Sequence, residues 1–131
     1  MSETRNPVGW FEIYVADLER AKRFYETVLQ VELQPLPTPA GDIEMLMFPG
    51  DPQKAGSCGA LARMEGCTPG SGGTIVYFSC RDCGEEESRV AGAGGVVTKP
   101  KFSIGPYGFI SLVTDPDGNM IGLHNPVEED G

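Results

Sequence analysis

The sequence predicts an α+β fold built from two βαβββ modules in tandem. Three observations predict it. Slid against itself by 65 residues, the chain places Asp17 on Asp82, Val31 on Val96 and Pro35 on Pro100. Short runs alternate apolar and polar residues with period two, as strands do, and each copy also holds one stretch at helical spacing. A chain of 131 residues has room for one compact domain whose core needs no disulfide staples.

The first copy opens with a strand at 10–16, with Phe11, Ile13 and Val15 on one face and Trp10, Glu12 and Tyr14 on the other. Asp17 then caps a helix that carries Leu18, Ala21, Phe24, Tyr25, Val28 and Leu29 at helical spacing. Residues 31–36 form a second strand, ended by Pro35 and Pro37, and 43–48 form a third. A turn-rich loop at 49–57 leads to a short fourth strand at 59–64, where Met45 and Met47 of the third strand serve as core or pocket lining. The Gly-, Ser-, Thr- and Pro-rich residues 65–73 are the linker between a first module at 7–64 and a second at 74–125.

In the second copy a strand at 74–81 puts Val76, Phe78 and Cys80 where Phe11, Ile13 and Val15 stand in the first. Asp82-x-x-Glu85 has the form of a capping box, and Glu85, Glu86 and Glu87 suit the positive end of a helix. Gly94 and Gly95 close that helix, and strands follow at 96–99, 108–114 and 120–124. The last two are joined by the turn Asp115-Pro-Asp-Gly118. There the repeat offset falls to 62, with Leu61 on Leu123, so the matching loop of the first copy is three residues longer. Residues 99–108 read either as a plain strand connection or as a loop over a cleft mouth. One helix covers only one face of each sheet. The open faces therefore meet across the pseudo-twofold or pair with a second chain, and either way they enclose a cleft.

Charge narrows the partners. Ten Lys plus Arg face nineteen Asp plus Glu, a net charge of −9, which repels nucleic acid and anionic membrane. The end, 126–131, is an acidic solvated tail. The first residues lack the apolar region of a secretion signal, so the expected location is cytoplasmic, with Cys58, Cys67, Cys80 and Cys83 reduced. The spacing Cys80-x-x-Cys83 fits a redox pair or half a zinc site, although Cys80 falls on an apolar strand face.

The run Trp10-Phe-Glu-Ile-Tyr-Val-Ala-Asp-Leu-Glu-Arg-Ala-Lys-Arg-Phe-Tyr25 resembles the first module of the vicinal oxygen chelate superfamily, which includes glyoxalase I, bleomycin-resistance proteins and extradiol dioxygenases. Val76-Tyr-Phe with Asp82, Gly94-Gly95 and Asp115-Pro-Asp-Gly-Asn119 resemble the second. The resemblance implies that the modules curl into a cupped, barrel-like mixed sheet with helices on the outer face, often in a homodimer. In the family's metalloenzymes four His, Glu or Gln ligands line the cup. Carried over by the resemblance, their positions here hold Glu12, Tyr77, Ala60 and Gly122. Only Glu12 is a competent ligand, and catalytic metal sites use about three protein ligands. No cofactor is therefore expected, apart from a weakly bound divalent metal that Glu12 and His124 could hold together.

Alternation turns Trp10, Glu12, Tyr14, Ala60, Ala62, Ile75, Tyr77, Ser79, Gly122 and His124 into the cup. Trp10, Tyr14, Tyr77, Ser79, Ala60 and Gly122 are the candidate ligand-binding residues of a mostly apolar small-molecule pocket. Glu12 and His124 are the candidate catalytic pair. Glu12 could act as acid or base, or could bond Tyr77, His124 or a backbone amide and fix the inner face. His124 could shuttle protons or be structural. Trp10 could stack on a planar ligand or pack at the edge. Two functions follow: a binding protein for an oxygen-rich or planar small molecule, or a lyase, isomerase or dioxygenase of the glyoxalase type that uses Glu12. Glyoxalase I activity itself is not expected, because it rests on the missing ligands.

Overall fold

A computed structural model describes residues 10–37, 43–51, 56–65, 67–70, 72 and 74–127. The expected module start at 7–9, part of the linker and the tail residues 128–131 lie outside these. Two four-stranded mixed sheets form an open cup rather than a closed barrel. The first contains β1 (Phe11–Tyr14), β2 (Gln34–Pro35), β3 (Ile43–Met47) and β4 (Gly59–Met64), in the order β1-β4-β3-β2. The second contains β5 (Val76–Ser79), β6 (Val96–Ser103), β7 (Phe109–Thr114) and β8 (Met120–Asn125), in the order β5-β8-β7-β6. In both sheets the first strand lies parallel to the last, which makes the two topologies identical.

Ladder register bears out the repeat to the residue. Glu12 pairs with Ala60 and Met47 pairs with Ala60, while Tyr77 pairs with Gly122 and Leu112 pairs with Gly122. The helices are α1 (Leu18–Leu29) and α2 (Cys83–Val90), the latter extended by a 3-10 turn at Ala91–Ala93. Asp17 caps α1 by accepting from Arg20 N at 3.1 Å, and Asp82 caps α2 by accepting from Gly84 N at 3.0 Å. Ala21, Phe24, Tyr25 and Val28 form the buried stripe of α1. Gly95 follows the close of α2, where a Cβ would collide with the Phe24 ring and the Thr114 carbonyl. Among the described residues no helix is long and apolar enough to cross a membrane.

Three expectations are corrected. The strand expected at 31–36 is reduced to β2, and just before it the Leu33 amide donates to the Glu26 carboxylate at 2.8 Å instead of to a neighbouring strand. The stretch 99–108 is neither lid nor plain loop, since β6 runs on to Ser103 and only a 3-10 turn at Gly105–Tyr107 remains before β7. Pro100 is tolerated because β6 is the sheet edge, and its register with β7 shifts on both sides of Lys99. The spacing Cys80-x-x-Cys83 marks the end of β5 and the start of α2, and both side chains are buried and free. Burial, followed by the neighbouring Glu86 carboxylate, pushes the Cys80 thiol up to about 12, so it is no thiolate at neutral pH.

The modules meet through an aromatic cluster and a polar clamp. Phe78 of β5 enters the first module, with its ring 5.2 Å from Phe48, 5.9 Å from Phe11 and 5.9 Å from Tyr25. Beside it the turn 115–119 reaches the first module. Buried Asp115 accepts from the Tyr25 hydroxyl at 2.8 Å, from Asp117 N and Asn119 N at 2.9 Å each, and from Asn119 Nδ2 at 3.0 Å. Asn119 Nδ2 also donates to the Tyr14 carbonyl at 3.0 Å, and Asp117 accepts from Ala16 N and Arg20. Asp115→Ala would strand several buried donors at once and is expected to cost at least about 3 kcal/mol in urea unfolding. Tyr25→Phe removes one bond and is expected to cost about 1–2 kcal/mol.

Candidate functional site

A cavity of about 770 Å³ opens along the seam between the modules among the described residues. Its position follows from the repeat. In the second module the turn 115–119 docks against the end of β1 and the start of α1. In the first module the described residues 49–51 and 56–58 of the corresponding, longer stretch line the cavity together with β5 and Glu86 of α2. Under the 65-residue offset Asp115 matches Gly50 and Tyr25 matches Val90, so this side lacks the hydroxyl–carboxylate clamp that closes the other.

Of the residues expected to bind ligand, Trp10, Tyr77 and Ser79 come together on this cavity. Trp10 is 40% exposed and Tyr77 48% exposed, so both rings stand open to a ligand. Phe11, Phe48, Ile75 and Phe78 add apolar wall. Tyr14 lies elsewhere, with Glu12, on a smaller cavity of about 210 Å³ closed by Asn119 and Met120. Ala60 and Ala62 are fully buried in β4, paired with Glu12 and Tyr14 on one side and with Met47 and Met45 on the other. Gly122 is buried beneath the Tyr77 ring, which any Cβ at 122 would strike.

The two candidate catalytic residues have different hydrogen-bond partners. Glu12 bonds neither Tyr77 nor His124. Its carboxylate accepts from Trp10 Nε1 at 3.1 Å and from the Tyr14 hydroxyl at 2.7 Å, both on its own strand face. His124 Nε2 instead pairs with the Tyr107 carbonyl at 2.8 Å. Among the described residues no three or more His, Cys, Asp or Glu side chains come together to hold a metal ion. The Glu12 bond, then burial, holds the Tyr14 phenol up at about 12, so the phenol keeps its proton at physiological pH.

Two cavity features were not foreseen from the sequence: the wall formed by Phe48, Asp51 and Cys58, and Glu86 of α2. The three-residue excess in the first-module loop was the available signal for the wall. For Glu86 the signal was its alignment on Ala21, a core position in the sister helix.

Comparison with known proteins agrees with this geometry. The family model described as Glyoxalase/Bleomycin resistance protein/Dioxygenase superfamily matches residues 8–123. The chain belongs to this superfamily. Two mycobacterial proteins provisionally named glyoxylase CFP32, from Mycobacterium bovis and Mycobacterium tuberculosis, are each 29% identical over 119 residues. Those matches cover 88% of this chain but 44% of the relatives, so the chain spans less than half their length. TnmS3, an antibiotic binding protein from Streptomyces sp. CB03234, superposes with a TM-score of 0.66 and 26% identity over 95% of this chain and 99% of its own. Glyoxalase I from Zea mays shares the fold at a TM-score of 0.69 and 22% identity, over 95% of this chain and 48% of that one.

A pH prediction follows from the Glu12–Tyr14 bond. A phenol whose folded pKa lies above the ordinary 10 contributes stability below pH 10 and loses it as pH rises toward about 12. Glu12→Gln is expected to lower the Tyr14 pKa in an ultraviolet titration at 295 nm and to flatten the fall of stability over that range. An unchanged titration curve would show that the bond does not set the phenol.

Proposed function

We propose that this superfamily member binds a planar or oxygen-rich small molecule in the seam cavity and that its metal site is degenerate. The observation that carries the reading is the cavity itself: a space of about 770 Å³ with an aromatic and apolar wall of Trp10, Phe48, Ile75, Tyr77 and Phe78 and polar groups at Asp51, Ser57, Thr74, Ser79 and Glu86. Such proportions suit a small aromatic ligand. The antibiotic binding activity of TnmS3, which is similar along nearly its whole length, supports the same class of function.

The four ligand positions of the family's metalloenzymes do not fit a metal in this chain. Ala60 and Gly122 offer no donor atom, Tyr77 covers Gly122 with its ring, and both Glu12 oxygens already accept bonds. The alternative reading, a glyoxalase-type lyase, isomerase or dioxygenase, would rest on Glu12 and His124, which have separate partners. We take the working unit to be a cytoplasmic homodimer that binds neither nucleic acid nor membrane.

Trp10 is the sole tryptophan, so intrinsic fluorescence reports on this cavity. Titration with quercetin, a planar oxygen-rich probe, is expected to quench Trp10 saturably, and Tyr77→Ala is expected to weaken binding about tenfold through lost ring contact. Quercetin recovered unchanged by mass spectrometry after long incubation supports the binding reading, and steady conversion would overturn it. Methylglyoxal with glutathione is expected to yield no S-lactoylglutathione, with or without added Zn²⁺ or Ni²⁺. Production that depends on Glu12 would favour the enzyme.

A further inference from the structure

The aromatic wall of the seam cavity does not account for Glu86. This residue lies on the inner side of α2, where the sister helix places fully buried Ala21. A carboxylate in a position that a methyl group can fill carries a desolvation cost unless its charge is answered. The Glu86 side chain is 14% exposed, and its Oε1 has no hydrogen-bond partner among the described residues. Oε2 forms an ion pair with Arg89 Nη2 at 3.8 Å, too long for a hydrogen bond, while Arg89 Nε donates to the Val28 carbonyl at 3.1 Å, so the guanidinium answers the charge from one side and leaves Oε1 unbonded. The nearby Cys80 thiol is a weak donor. The described lining residues include no Lys, Arg or His, and Lys54, between Asp51 and Gly56, lies outside the described residues.

We propose, resting on the small-molecule reading above, that the cavity recognises a planar aromatic cation. The ring system lies against Trp10, Phe48 and Tyr77, and a protonated ring or amine nitrogen donates to Glu86 Oε1. The parts reinforce one another. Aromatic faces attract cations as well as flat rings. A charge-assisted bond to a largely buried carboxylate is stronger than one at the surface. The net charge of −9 raises the local concentration of cations and repels anions. Ala21 shows what an apolar version of this wall would use, and α2 does not use it.

The test compares two three-ring probes of similar size by calorimetry on the full chain: 9-aminoacridine, a cation at neutral pH, and 9-anthracenecarboxylate, an anion. The cation is expected to bind at least tenfold more tightly. Glu86→Gln, which keeps the shape and removes the charge, is expected to weaken 9-aminoacridine about tenfold. Equal binding of the two probes, or 9-aminoacridine affinity unaffected by Glu86→Gln, would overturn the proposal while quercetin binding kept the broader reading alive. If no probe, quercetin included, perturbs Trp10, both readings fall together. Circular dichroism checks the fold of the variant. Should Glu86→Gln not fold, Arg89→Gln carries the test. Removing the competing guanidinium is expected to tighten 9-aminoacridine severalfold relative to Arg63→Gln on the distant β4, and unchanged or weaker binding would overturn the proposal.

Discussion

A carboxylate taken out of water must find hydrogen-bond donors for its oxygens, and Asp115 finds them in both halves of the chain. The Tyr25 hydroxyl comes from the first module; the amides of Asp117 and Asn119 and the Asn119 side chain come from its own turn. Each donor must approach from a fixed direction, so the turn has one seat on α1 and β1. Asn119 extends the set to the Tyr14 carbonyl and Asp117 extends it to Ala16. Apolar contacts such as Phe78 against Phe48 supply attraction, but the polar set supplies the register between modules. Burial, and then the Asp115 charge, holds the Tyr25 phenol well above its ordinary range, so the donor keeps its proton.

The seam cavity is the consequence of having that clamp on one side only. A strict twofold repeat would place a second polar lock between the first-module loop and α2. Gly50 and Val90 stand at the matching positions, and three extra residues lengthen the loop. What would be a sealed contact becomes a hollow bordered by both modules. A broken repeat thus leaves a hollow without a change of fold, which is one way a single architecture can host unrelated chemistries.

Tyr77 and Gly122 are coupled in the packing of the cavity wall. The ring lies over the glycine because no Cβ stands in its way. With Tyr77 against the floor of the strand pair, half of its surface remains open toward Trp10 and Ser79. Glu12 accepts from both Trp10 Nε1 and the Tyr14 hydroxyl. Its fixed carboxylate orients the indole at the cavity rim and so positions the wall.

Sequence patterning alone determined the two modules, their strand faces, both helix caps and the equivalence of Ala60 with Gly122. These depend on periodicity and local hydrogen bonding, which are properties of neighbours in the chain. It also brought Trp10, Tyr77 and Ser79 to one list, because alternation assigns them one face. Tertiary structure alone decided that Glu12 and His124 go to different partners, that β6 continues through Pro100, and that Glu86 enters the cavity. Alternation gives the face a side chain takes but not its distance from residues on another strand. A proline reads as a break until its place at a sheet edge is known. The surroundings of Glu86 depend on a loop some 30 residues earlier in the chain. Contacts of that range are set by how two finished modules lean together, which no local pattern encodes.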